Sequence, residues 1–185
     1  MPDDLWTAAT RHAFLDAVRE GTVADGAFDR WLVQDALFVG DLLAFQARLL
    51  ARAPRPAQAA LAGGCVALVE ELAWFEEQAG RRGLDLAQPP LPATVAYAGM
   101  LQRLDALPYE DAVTALWVLE RVYLQGWAHA APSTERYREF VEHWTAPGFE
   151  GYVAALEALA APEGREDLVA EVLAQEVAFW DMALA

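Results

Sequence analysis

The stretch ALWVLERVYLQGWAHA, residues 115–130, decides the fold. Laid on a helix, it is apolar and aromatic almost all the way round, the mark of a helix surrounded by other elements. Glu120 is the exception at its centre. Leu116, Trp117, Tyr123 and Leu124 lie three or four residues from it, and Trp127 follows at seven, so all share one helical face with the carboxylate.

Working outward, the pattern is helix after helix. Alternating strands bounded by turn pairs are absent from the sequence. The periodicity predicts a first helix over 4–20, stopped by Gly21, and a long second one over 25–53, ended by Pro54 and Pro56. A third spans 57–80, and DLAQPPLP, residues 85–92, reads as a linker. Further helices follow over 92–106 and 109–130, the latter halted by Pro132. Ser133 is placed to cap a sixth over 134–144. Pro147 and Gly148 open a seventh over 148–160, and the last covers 165–183. Long helices joined by short connections pack antiparallel, so the fold class is an all-α bundle of about eight helices in a single domain over 1–185.

Glu120 has counterparts. Asp35 stands among Trp31, Leu32, Phe38, Val39 and Leu42, and Glu176 among Val172, Leu173, Phe179 and Trp180. Glu71 sits beside Leu68, Trp74 and Phe75, but the stripe of Cys65, Leu68, Leu72 and Phe75 leaves it at an edge. Other acids, such as Glu163, Glu166, Asp167 and Glu171, fall on polar faces. An unpaired buried carboxylate costs several kcal/mol of desolvation or takes up a proton. One such position reads as a stripe-edge acid; three on separate long helices point to a shared polar pocket.

The remaining composition narrows the chemistry. A net charge of -15 repels phosphate backbones and argues against a nucleic-acid partner. The acidic opening MPDDLW has no basic-then-apolar leader, and uninterrupted apolar runs are shorter than the ~18 residues of a membrane span, so the expectation is a cytoplasmic protein with no membrane partner. Cys65 has no second cysteine to pair with and follows two glycines inside a helical pattern, where it reads as a small packing residue. No His has a Glu three residues before it, as a di-iron bundle requires. His143 follows Glu139 by four on a face that reads as exposed, and His129 lies where it meets a helix C-terminus. No metal and no other cofactor is expected. Seven Trp, eight Phe and five Tyr can supply both core and an aromatic-lined pocket.

Four motifs carry a resemblance. QDALF (34–38), LWVLERVYLQGWAH (116–129), FVEHWTAPGFEGYVAALE (140–157) and QEVAFWDMA (175–183), in this order and spacing, resemble the TenA (thiaminase II) family over about residues 28–184. The resemblance implies the haem-oxygenase-like helical bundle, a homo-oligomer, and cofactor-free hydrolysis of a small aminopyrimidine-like substrate in thiamin salvage. One branch of that family carries a nucleophilic cysteine where this chain has Leu119. The other lacks the cysteine and carries a Glu beside its position, as Glu120 stands here, and is linked to amino- and formylamino-pyrimidines. Carried across, the resemblance assigns catalysis to Glu120 and Glu176. Asp35 meets the aminopyrimidine edge; Phe38, Tyr97, Tyr123, Trp144 and Phe179 surround the substrate. Phe38 stands where the cysteine branch often has Tyr. The alternatives are a non-catalytic module binding a small aromatic ligand on the same bundle, or a PqqC-like or di-iron oxidase.

Overall fold

Proline and glycine divide the chain much as their backbone constraints dictate. The computed structural model describes residues 3–185, so the first two residues of MPDDLW lie outside it. The described residues form nine α-helices and no strand: α1 (Asp3–Thr10), α2 (Ala13–Glu20), α3 (Asp25–Ala51), α4 (Gln58–Arg82), α5 (Pro92–Asp105), α6 (Tyr109–His129), α7 (Arg138–Trp144), α8 (Pro147–Glu157) and α9 (Glu166–Leu184), with a 3-10 turn at Arg55–Ala57. The long α3 packs against α4, α5, α6 and α9, and α6 packs against α8 and α9. One continuous apolar core runs between them.

Two boundaries differ from the sequence reading. The expected helix over 4–20 is two helices, because His12 is extended (φ -79, ψ 152) and its ring Nδ1 accepts the Phe14 N–H at 3.2 Å. A histidine acting as an N-cap is not signalled by the apolar pattern. The break lets α1 seat on α9, where Trp180 donates to the Ala9 carbonyl at 3.1 Å. Gly21 does end the segment, with φ 71 and a position where a Cβ would meet Thr134 Cγ2 at 2.6 Å. The second difference is α7. Ser133 does not cap it; its hydroxyl donates to the Thr134 carbonyl, and the helix starts at Arg138. Tyr137, fully buried against Phe28, holds the preceding turn in place.

The linker after α4 is tied down by Gln34, which donates to the Pro89 carbonyl and accepts from Leu91 N–H and the Thr94 hydroxyl. Against α4, the close approach belongs to Gly64 rather than to Cys65, which is half-buried. A Cβ at Gly64 would lie 2.1 Å from Gln46 Nε2 and 2.5 Å from the Tyr152 hydroxyl. Gln46 in turn donates to the Leu61 carbonyl at 2.9 Å and accepts from Tyr152. The segment Arg55–Arg82 is long and apolar enough to cross a membrane by length and composition, which a search for uninterrupted apolar runs does not reveal. Here it buries Leu61, Leu68 and Phe75 in the bundle and turns Val66 and Val69 outward.

A candidate active site with four carboxyls

Five helices bring the expected side chains into one buried region, where the charges of the acids are felt by one another; Phe38, Glu120, Tyr123 and Trp144 line its cavity, and Asp35, Tyr97, Glu176 and Phe179 lie outside that lining. α3 delivers Asp35 and Phe38, α5 Tyr97, α6 Glu120 and Tyr123, α7 Trp144, and α9 Glu176 and Phe179. Each carboxylate sits on an apolar stripe, so packing that stripe carries it inward. Asp35 is 1% exposed, Glu176 2% and Glu120 5%.

The acids are held by aromatic donors. Tyr123 donates its hydroxyl to Asp35 Oδ2, and Tyr97 donates to Glu176 Oε1. Trp144 Nε1 donates to Glu71 Oε1 at 2.7 Å. Glu120 alone of the four has no side-chain hydrogen bond among the described residues. Asp35 Oδ1 is also buried without a partner. Such a lone pair carries the cost of desolvation unless a ligand satisfies it.

Glu71 corrects the sequence reading. Its backbone does sit at the edge of the α4 stripe, and the residue is half-buried. Its carboxyl nevertheless lines the same small cavity as Glu120, Phe38, Tyr123, Trp144 and Phe149. The decisive partner, Trp144, lies 73 residues away, and local periodicity cannot report it. Phe149 and Leu119 also reach the cavity, on motifs where they carried no assigned role.

Electrostatics follow from the burial. Desolvation pushes Glu176 up to about 8, with the Tyr97 bond offsetting part of the shift. It pushes Glu71 up to about 7 against the Trp144 bond. Asp35 is driven well above the usual carboxylate range by burial, the Tyr123 bond opposing and the charges of Glu71 and Glu176 adding. Glu120 is raised likewise, by burial first and then by Glu71 and Glu176. No ion pair among the described residues involves any of the four. The pocket therefore offers carboxyls that burial pushes toward their protonated form, with no arginine or histidine paired to any of them.

Aromatic rings wall it. Phe38 and Tyr97 have centroids 4.3 Å apart, and Phe179 lies 5.8 Å from both. Trp144 stacks on Trp127 at 4.6 Å and meets Tyr123 edge-on at 5.4 Å. The cavity lined by Glu71 and Glu120 is about 20 Å³, room for roughly one water, so a larger guest requires its lining side chains to move apart. The histidines lie elsewhere. His129 contacts Asp16 at 2.8 Å, a partner beyond the helix dipole alone, and His12 contacts Asp181. His143 is half-buried, not on an open face, and stacks on Trp74 at 4.1 Å. Among the described residues no group of three or more His, Cys, Asp or Glu is arranged to hold a metal ion.

Residues 2–185, all but the first, match the model of the TENA/THI-4/PQQC family. The chain belongs to that family. Its fold is the haem-oxygenase-like helical bundle. The chain is 30% identical to a Glycine max protein named "Probable bifunctional TENA-E protein", across 97% of this chain and 88% of the relative. A TenA homologue from Pyrococcus furiosus superposes with a TM-score of 0.91 at 29% identity, covering 98% of this chain and 95% of that one. A Silicibacter protein described as a TenA family transcription regulator gives 0.89 at 19% identity, covering 98% and 92%, a likeness of fold alone. The TENA/THI-4/PQQC chain described here thus spans nearly the full length of these relatives.

Proposed function

We propose that the chain is an enzyme of the cysteine-less, glutamate-type TenA branch: a C–N hydrolase acting on aminopyrimidines or formylaminopyrimidines of thiamin salvage. The observation that carries this reading is a cluster of buried carboxyls around one aromatic-walled cavity: Glu120 and Glu71 line it with no Cys, Lys or Arg beside them, and Glu176 is near enough for its charge to be felt at both Glu120 and Asp35. The relationship to the soybean TENA-E protein supports the same branch.

The chemistry suits these groups. An aminopyrimidine is flat and weakly basic. Its face stacks on Phe38, Tyr97 and Phe179, and its N–C–NH2 edge fits the carboxyl of Asp35, whose Oδ1 awaits a donor. Glu120 works on the exocyclic group. Burial favours its protonated form, and the ammonium of the bound substrate beside it favours the anion; as that anion it takes a proton from water while the water oxygen bonds to the exocyclic carbon. The C–N bond breaks, its electron pair leaves on nitrogen, and the proton held by Glu120 passes to the departing ammonia. In sum, R–CH2–NH3⁺ and H2O give R–CH2–OH and NH4⁺. On a formylamino substrate the same base directs water to the formyl carbon, and R–CH2–NH–CHO with H2O gives R–CH2–NH3⁺ and formate. Glu176, held by Tyr97, is the second acid and keeps its proton near neutral pH.

Ammonia and formate release from the two pyrimidines tests the proposal. The wild type turns over at least one, and Glu120→Gln loses about 10²-fold or more in kcat, the usual scale for a lost general base. Wild-type turnover in both Glu120→Gln and Glu176→Gln, or no turnover of either substrate by the wild type, sinks it.

A further inference from the structure

Glu71 is the acid of the cavity that this mechanism leaves without a task. Trp144 fixes its Oε1 at 2.7 Å, and Oε2 has no hydrogen-bond partner among the described residues. Glu120 lines the same cavity and likewise has no side-chain hydrogen bond among those residues. The charge of Glu71 is felt at Glu120. Asp35 and Glu176 differ, since neither lines that cavity and each accepts a phenol hydrogen. Unmet demand for a positive charge is therefore concentrated between Glu71 and Glu120. No arginine answers it, and the chain contains no lysine.

We propose that Glu71 is a specificity-determining residue: with Glu120 it receives the charged exocyclic amine of an aminopyrimidine and discriminates against the same pyrimidine with an acylated, uncharged nitrogen. This inference rests on the pyrimidine-hydrolase reading of the site. An alkylammonium brings three donors and no acceptor, so it satisfies two carboxyls at once through charge-assisted bonds. A formamide brings one N–H and a carbonyl oxygen. That oxygen is an acceptor facing an acceptor, and a dry site leaves the mismatch unscreened. Trp144 is the positioning residue, because its indole N–H sets the direction of the Glu71 carboxyl.

The test compares kcat/KM for the aminomethyl- and formylaminomethyl-pyrimidine in the full-length wild type, Glu71→Gln and Trp144→Phe. A hydrogen bond to a charged group is worth about tenfold or more. Glu71→Gln is expected to lower kcat/KM for the amine about tenfold, mainly through KM, and to leave the formamide within about threefold. Trp144→Phe shifts the ratio in the same direction more weakly. A parallel loss on both substrates, or no change on either, overturns the proposal and makes Glu71 a wall residue. If the wild type turns over neither pyrimidine, the hydrolase reading fails, and calorimetric binding of the aminomethylpyrimidine then decides Glu71 alone. Binding about tenfold weaker in Glu71→Gln supports the inference; equal binding overturns it. Should Glu71→Gln not fold, Glu71→Asp, which keeps the charge but shortens the reach, is expected to lower the amine-to-formamide ratio, and an unchanged ratio overturns the proposal.

Discussion

Tyr97 gives its hydroxyl hydrogen to Glu176, joining α5 to α9 in the core of the bundle. Tyr123 does the same for Asp35 between α6 and α3. The two phenols are thus part of the fold, and Tyr123 is also part of the pocket wall.

Removing the Tyr97 hydroxyl exposes its contribution. Tyr97→Phe strips Glu176 of its donor in a dry site and costs about 1–3 kcal/mol. The bond favours the ionised carboxyl, so Glu176 moves above its value of about 8 in the variant. Urea unfolding is therefore expected to show a larger loss at pH 8.5 than at pH 6. Equal losses at both values would show that this bond does not respond to the proton on Glu176.

Glu176 also sets a pH dependence of stability. Its folded pKa, about 8, exceeds the ordinary value of 4.5, so the folded state holds the proton more tightly than the unfolded chain. The stabilisation is fully present below about 4.5 and is lost as pH rises through about 8. Glu71, raised to about 7, acts in the same direction. Wild-type protein is expected to lose on the order of a few kcal/mol between pH 5 and 9, and Glu176→Gln to show a flatter profile. A variant as steep as the wild type contradicts the assignment.

How much of this was legible depends on where each cause lies. Asp35, Glu120 and Glu176 were visible because burial of a stripe is a periodic, local property, and each lies at the centre of one. Glu71 was not, since its neighbours on α4 are sound packing residues and its reason is an indole on α7. His12 escaped for a related reason: a histidine cap looks like any polar residue within a helix-length segment. Cys65 was read as the close-packing residue, and only the position of Gln46 and Tyr152 shows that the close approach falls on Gly64 beside it. The fold was legible almost throughout, because proline and glycine act on the backbone where they stand.

Binding of a cationic ligand is expected to expel protons. Carboxyls raised by burial and by each other's charge ionise when a cation joins them. Titration calorimetry in two buffers of different ionisation enthalpy should show proton release with an aminomethylpyrimidine at pH 6, less at pH 9, and little with its formylated counterpart. Proton uptake, or equal release with both ligands, argues against a cation site.

Two adjacent glycines give an internal control for the packing of α4. Gly64→Ala places a Cβ 2.1 Å from Gln46 Nε2 and disturbs its bond to the Leu61 carbonyl, at a cost of about 1–3 kcal/mol. At Gly63 a Cβ meets nothing within 4 Å, and alanine is expected to stabilise the helix by roughly 0.5–1 kcal/mol. Thermal melts of the two variants should move in opposite directions, and a shared direction would contradict the packing described for Gly64.

The bond from Trp144 to Glu71 has an optical consequence. An indole hydrogen-bonded to an ionisable carboxyl, with Trp127 stacked 4.6 Å behind it, is an emitter whose surroundings change whenever that carboxyl gains a proton or a guest. The protein therefore carries a fluorophore in the wall of its cavity. The difference in tryptophan emission between the wild type and Trp144→Phe isolates this one of the seven and reports occupancy and ionisation of the cavity without any added dye.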